Sequence, residues 1–221
     1  MKTNRTNKTE LVFILDRSGS MTGLESDTIG GFNSMIEKQK REPGEVKVST
    51  ILFDHEMLLI HDRMDLHTMK PLTERDYVVR GTTALLDAIG CAIDRTIRMR
   101  RHTLPQYRAD KVLFVIITDG YENASRRYTY EKVKSMIELE KERYGWEFIF
   151  LGANIDAAAT ARRFGIAEER AVNYHADNIG TRATYDAVGC AVSEMRQNAP
   201  MSNQWRTSVD QDFRCRQKNH R

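Results

Sequence analysis

The sequence lacks the cysteine pattern of a disulfide framework or a zinc site. Its 221 residues include three cysteines, Cys91, Cys190 and Cys215, with no CxxC pair. Such a sparse, odd set is typical of a reducing compartment. The opening stretch MKTNRTNKTE has no apolar leader core, and the strongly apolar runs, such as VLFVII at 112–117, are too short to cross a bilayer. We therefore expect a cytoplasmic protein without a membrane partner.

The signature motifs of several enzyme classes are also missing. The chain contains no GxSxG elbow, no P-loop and no GxGxxG fingerprint. An aspartate after the first strand, Asp16, is reminiscent of phosphoryl-accepting enzymes of the haloacid dehalogenase type. Those enzymes carry a second aspartate two residues later as the acid/base, and here that position is Ser18, which cannot take this role. We expect no catalysis, with a metal-dependent phosphotransferase or hydrolase as the less favoured alternative.

What the sequence does contain is an alternation of strand-length apolar runs with segments of helical period. The composition, 40% hydrophobic and 29% charged, is that of a globular domain. Continuous apolar runs favour parallel strands that are covered on both faces. The predicted strands are 11–16, 46–53, 57–61, 112–118, 146–151 and, more weakly, 171–174. The predicted helices are 23–41, 84–101, 129–144, a short one between 154 and 165, and 181–197.

One connection in this pattern is too short for a crossover. Only Asp54, His55 and Glu56 separate the second and third strands, so these two strands should form an antiparallel hairpin. The predicted fold is therefore α/β: a doubly wound, mostly parallel sheet of about six strands with one antiparallel edge strand and helices on both faces. The domain should span 9–197. Residues 198–221 lose the periodicity and are expected to form a basic, flexible tail, with a short structured element as the alternative.

Oxygen-bearing side chains follow two of the strands and precede one helix. The three segments are DRSGS at 16–20, GTT at 81–83 and ITDG at 117–120. In open α/β sheets the carboxyl ends of the strands form the ligand site where the strand order reverses, so the segments converge if the first and fourth strands are neighbours. Two carboxylates and several hydroxyls, without histidine or cysteine, suit Mg²⁺, or Mn²⁺ in its place. Each segment alone could also be an ordinary helix cap.

Together, DRSGS, GTTALLDAI at 81–89 and ITDG resemble the von Willebrand factor A (VWA) domain and its metal-ion-dependent adhesion site, over about residues 9 to 195. The resemblance implies a Rossmann-like fold and a metal that binds a protein partner. It implies that Ser18, Ser20 and Thr83 bind the metal directly, and that Asp16 and Asp119 bind it directly or through water. The partner would offer an Asp or Glu side chain to the metal.

The second segment departs from the family pattern at one position. The family has two glycines before the threonine, whereas here Thr82 stands in place of the second glycine. Alignment on ALLDAI makes Thr83 the ligand, with Thr82 as the alternative.

Two other groups of residues suggest different chemistry. Basic residues late in one helix and in the tail, together with Trp205 and Phe213, allow a nucleic-acid-associated protein as an alternative, although helix dipoles and solvated ends explain such charges as well. They are Arg95, Arg98, Arg100, Arg101, His102, Arg206, Arg214, Arg216, Lys218 and Arg221. Polar residues around the hairpin, Asp54, His55, Glu56, His61 and Asp62, allow a second metal site, but hairpin turns favour such residues anyway.

Overall fold

The computed structural model describes residues 7–197 and 199–218 and contains a six-stranded sheet. The strands are β1 (Lys8–Asp16), β2 (Glu45–Phe53), β3 (Met57–Asp65), β4 (Lys111–Thr118), β5 (Glu147–Ala153) and β6 (Ala171–Tyr174). Their order is β3-β2-β1-β4-β5-β6, and β3 pairs antiparallel with β2 while the other pairs are parallel. The predicted fold class, with its antiparallel edge strand, is confirmed.

Within those residues, six α-helices cover the two faces of this sheet. They are α1 (Glu25–Gln39), α2 (Leu85–His102), α3 (Tyr130–Tyr144), α4 (Ala157–Arg163), α5 (Asn178–Arg196) and α6 (Thr207–Lys218). Alternate residues of β1 point to opposite faces: Phe13 packs in the core under α1 and α5, and Ile14 packs in the core under α2, α3 and α4. Burial on both faces explains why the strands read as continuous apolar runs. No helix in the described ranges has the length and apolarity needed to cross a bilayer.

Local sequence signals set several helix boundaries. The side chains of Thr129 and Asp177 accept hydrogen bonds from the backbone N–H groups of Lys132 and Gly180, and so cap α3 and α5. Helix α5 therefore begins three residues before the predicted start at 181, because Asp177 provides the cap. After α4, Gly165 has φ of +77°, as a residue that ends a helix should.

The C-terminal segment differs from the flexible tail that the sequence suggested. Helix α6 lies there and packs against α5 and β6. Trp205, which precedes it, is only 1% exposed, and Val209 is buried in the same core as α5. Tertiary packing of a few apolar side chains thus stabilises a helix that periodicity alone does not indicate. Arg221 and three other residues of the expected tail, at 198, 219 and 220, lie outside the described residues.

Replacing Trp205 with alanine tests this packing. Removing a fully buried tryptophan should lower the free energy of unfolding by about 3–5 kcal/mol. Gln204→Ala, at the exposed neighbouring position, is the matched control and should change it by less than about 0.5 kcal/mol. Chemical denaturation of both variants would measure this, and equal stabilities would mean that the segment does not belong to the core.

Candidate metal centre

The sheet topology brings the three oxygen-bearing segments to one place. Strand β1 lies between β2 and β4, and Leu15 pairs in register with Ile117, so Asp16 and Thr118 end neighbouring strands. The strand order also reverses here, since β2 continues the sheet on one side of β1 and β4 on the other. The condition under which the segments converge, that the first and fourth strands are neighbours, is therefore met.

Backbone hydrogen bonds join the segments to one another. The N–H of Gly19 donates to the carbonyl of Gly81 at 3.1 Å, which ties the first segment to the second. Two hydrogen bonds between Thr83 and Asn123 connect the second segment to the residues that follow the third segment. The Thr83 N–H donates to Asn123 Oδ1 at 2.9 Å, and the Asn123 N–H donates to the Thr83 carbonyl at 3.0 Å. The relative positions of the side chains are therefore fixed by the backbone.

The two aspartates have different surroundings. Asp16 is buried, and both of its carboxylate oxygens already accept hydrogen bonds: Oδ1 from the N–H of Ser18 at 2.7 Å, and Oδ2 from the hydroxyl of Thr118 at 2.5 Å. Asp119 is also buried; its Oδ1 accepts a bond from Ser20 Oγ at 2.5 Å, whereas its Oδ2 has no hydrogen-bond partner. A buried carboxylate oxygen without a donor is the feature that a cation would satisfy.

Three hydroxyl groups surround the same point. Ser18 Oγ lies 3.1 Å from Ser20 Oγ. A Cβ added to Gly120 would lie 3.5 Å from both Ser20 Oγ and Thr83 Oγ1, which shows that these two hydroxyls face the same small space. The structure thus brings together all five residues that the sequence singled out, Asp16, Ser18, Ser20, Thr83 and Asp119. That they bind a metal stays a prediction, but the set fits one: hard oxygen donors with one buried, unpartnered carboxylate oxygen.

The electrostatics of the site also favour a cation. Burial raises the pKa of Asp16 from its ordinary 3.8 to about 6, against the opposing effect of the hydrogen bonds from Thr118 and Ser18. Burial likewise raises the pKa of Asp119. In both cases the protein surroundings disfavour the charged form, because too little positive charge is close enough to offset desolvation. A divalent ion would supply that charge.

The structure separates the two threonines of the second segment. Thr83 is buried with its hydroxyl toward Ser20 and Gly120, whereas the neighbouring Thr82 is exposed. The geometry therefore favours Thr83.

Side chains that the sequence did not single out hold the site in place. The Tyr77 hydroxyl donates to the carbonyl of Asp16, and Glu122 accepts from the Leu86 N–H at 2.8 Å, at the start of α2. Asn123 joins two segments, as described above. No periodicity marks these residues; only their nearness to ITDG could have drawn attention to Glu122 and Asn123.

The hairpin cluster is occupied by the protein's own charges. Ligand atoms of Asp54, His55 and Glu56 lie within 4.8 Å of one another, a spacing that would suit a metal. The buried carboxylate of Asp54, however, lies 3.0 Å from Nε of Arg17 and 3.0 Å from Nε of Arg80. Two guanidinium groups already provide the positive charge that a metal would bring, so this cluster is the weaker metal candidate.

Four of the basic and aromatic residues of the nucleic-acid alternative are engaged in contacts within the chain. Trp205 is buried, and Phe213 stacks on His175 with the ring centroids 4.7 Å apart. Arg206 pairs with Asp210, and Arg216 with two aspartates. Stacking on bases would need exposed aromatic faces.

Solved structures with the same fold were found, although no protein-family profile and no curated protein sequence matches the chain. The von Willebrand factor domain of the type V pili tip protein Mfa5 from Porphyromonas gingivalis is similar with a TM-score of 0.59 at 11% identity, covering 90% of this chain and 99% of that one. Proximal thread matrix protein 1 from the mussel byssus, with a zinc-occupied MIDAS motif, is similar with a TM-score of 0.56 at 14% identity. The match covers 84% of this chain and 46% of that one. The ArnB paralog VWA2 from Sulfolobus acidocaldarius is similar with a TM-score of 0.52 at 16% identity. The match covers 82% of this chain and 45% of that one.

Identities this low establish the fold alone, and the chain spans less than half the length of the last two proteins. With the sheet order described above, the chain folds as a von Willebrand factor A domain. At the carboxyl edge of its sheet lie the five residues that the sequence predicted as metal ligands, Asp16, Ser18, Ser20, Thr83 and Asp119.

Substitution of the two threonines tests the donor set. Thr83→Ala should weaken Mg²⁺ binding at least tenfold, because it removes a hydroxyl that faces the site. Thr82→Ala, one residue away and exposed, should leave the affinity within about twofold. Isothermal titration calorimetry with Mg²⁺ and Mn²⁺ measures both, and the reverse order of effects would assign the ligand to Thr82.

The raised pKa of Asp16 predicts how the metal-free protein responds to pH. A folded-state pKa above the unfolded value gives stability that is present below about pH 4 and is lost as the pH rises through about 6. The shift corresponds to about 3 kcal/mol of unfolding free energy. Asp16→Asn should remove this loss of stability at high pH, because the amide does not ionise. The variant should therefore be more stable than the parent at pH 7.5 in EDTA, and it should bind no Mg²⁺. Denaturation at pH 4.5 and 7.5 measures it; equal pH dependence in the two proteins would refute the assignment.

Proposed function

We propose that this chain is a divalent-metal-dependent protein-binding module that recognises an acidic side chain of a partner. The observation that carries this proposal is the buried, unpartnered Oδ2 of Asp119 beside the hydroxyls of Ser20 and Thr83. Mg²⁺ is the proposed ion, with Mn²⁺ able to replace it, because all the available donors are hard oxygens. The zinc-occupied motif of the mussel byssus protein supports a metal at the equivalent type of site.

Ser18, Ser20 and Thr83 would hold the ion directly, with Asp119 beside them and Asp16 orienting the first segment through its bonds to Ser18 and Thr118. Both oxygens of Asp16 are already engaged, which favours this supporting role. When bound, the metal supplies a positive charge that a partner's carboxylate can approach. Hydroxyl ligands leave that charge less neutralised than carboxylates would, so a partner's Asp or Glu completes the charge balance.

The surface beside the metal site offers an aromatic contact for the partner. Tyr121 follows Gly120 directly and is 57% exposed. Exposed tyrosines next to a charged contact are frequent energetic centres of protein interfaces. The module is proposed to bind the partner and not to transform it.

A cytoplasmic location is proposed as well. Cys91, Cys190 and Cys215 are all free in the structure, which supports a reducing compartment. Cell fractionation with an antibody against the chain would test this, and recovery outside the cytoplasm would overturn it.

The binding proposal is tested by a pull-down in Mg²⁺ and in EDTA, with proteins identified by mass spectrometry. A partner retained in Mg²⁺ should be lost in EDTA and lost with Ser18→Ala. Tyr121→Ala should weaken its binding at least fivefold while leaving Mg²⁺ affinity unchanged. Tyr107→Ala is the matched control, since Tyr107 is equally exposed but lies beside Lys8, at the other end of β1. Retention in EDTA, or equal losses for the two tyrosine variants, would place the interface elsewhere.

A further inference from the structure

A small arginine-rich cavity lies at the opposite end of α2 from the metal site. Its volume is about 200 Å³, and it is situated where the carboxyl ends of α2 and α3 meet. Beside Ile97, it is lined by Arg100, Arg101, Arg108, Arg143, Glu140 and Tyr144. Four arginines and a single carboxylate residue therefore line one concavity.

These arginines are oriented but are not neutralised. Arg100 donates to the carbonyl of Ala109 at 2.9 Å, and Arg108 donates to the carbonyl of Thr103 at 2.9 Å. The guanidinium groups of Arg100 and Arg143 also lie over the ring of Tyr144, 4.7 and 5.8 Å from its centroid.

Within the described ranges none of the four forms an ion pair with a carboxylate. Arg17, Arg80 and Arg170, by contrast, each do. The cavity therefore keeps unbalanced positive charge.

The one carboxylate of the cavity can offset at most one of the four positive charges. Glu140 is buried, and its Oε2 has no hydrogen-bond partner in the described structure. Burial raises the pKa of Glu140, and the charges of Arg143, Arg101 and Arg100 oppose that rise, but within the described ranges no hydrogen bond or ion pair joins these arginines to it. Their N–H groups remain available to a ligand.

The helix dipoles offset only part of the positive charge of the arginines. The carboxyl ends of α2 and α3 each present roughly half a negative charge, which nearby cations offset. Arg100, Arg101 and Arg143 lie in those last turns. Arg108 lies on neither helix, since it follows the short 3-10 helix Pro105–Tyr107. Positive charge thus exceeds what the two helix ends require.

We propose that this cavity binds the phosphate group of a small phosphorylated ligand. Guanidinium forks match the oxygens of a phosphate group, and arginines held in place lose little freedom on binding one. Their convergence on one concavity suits a compact anion better than a nucleic-acid backbone, whose phosphates extend along a line. This inference is independent of the metal site and of the proposed partner.

The test is calorimetric titration with inorganic phosphate and with pyrophosphate, in EDTA so that no metal can bridge the anion. Saturable binding to one site is expected. Arg108→Ala should weaken it at least tenfold. Arg98→Ala is the matched control: it removes a charge from the same helix end, but Arg98 does not line the cavity, so its effect should stay within twofold. Glu140→Gln should tighten binding severalfold by removing the only negative charge.

Three outcomes would overturn the proposal. They are an absence of saturable binding to the parent protein, equal losses with Arg98→Ala and Arg108→Ala, and stronger binding of a DNA duplex that Arg108→Ala abolishes. Circular dichroism confirms that each variant folds. Arg143→Ala, at an exposed position of α3, replaces Arg108→Ala if that variant does not fold, with the same expected loss.

Discussion

The parallel pairing of β1 with both β2 and β4 is the constraint on which the candidate site depends. It makes β1 the point where the strand order reverses and puts the ends of β1 and β4 side by side. Asp16 and Asp119 can then lie in one buried space, although 102 residues separate Asp16 from its hydrogen-bond partner Thr118. Burial of apolar side chains on both faces of the sheet provides the free energy that holds these polar groups at its edge.

Desolvated carboxylates make this edge of the sheet energetically unfavourable without a cation. The hydrogen bonds to Asp16 lower the free-energy cost of burying its charge but do not remove that cost, since burial still raises the pKa of Asp16 to about 6. Asp119 has one oxygen without a donor. Functional sites commonly retain such local instability, because the ligand supplies what the fold lacks. The nearby Asp54 shows the contrast: it is equally buried, but Arg17 and Arg80 satisfy it from within the chain.

The sequence predicted the elements whose signals are local. Strands buried on both faces gave continuous apolar runs, and helical periodicity placed α3 within one residue of its observed start at Tyr130. The five residues of the candidate site were found because they follow strand ends or precede a helix in a recognisable spacing. Tyr77, Glu122 and Asn123 were missed, because their roles come from contacts across the fold. Helix α6 entered only as the alternative of a short structured element, since Trp205 and Val209 are isolated apolar residues whose burial depends on α5 and β6.

Helix α2 connects the two sites, and its length determines how far they can influence each other. It begins next to Thr83 and ends at the arginine cavity, 18 residues later, or about 27 Å at 1.5 Å per residue. Glu122 fixes its first turn at 2.8 Å, and Asp87 in that turn accepts the N–H groups of Arg126, Arg127 and Tyr128. When two sites are this far apart and share no contacting residue, substitutions in them usually change the free energy additively. A rigidly anchored α2 therefore favours independent binding of a metal-linked partner and of an anion, so that each can be measured with the other site intact.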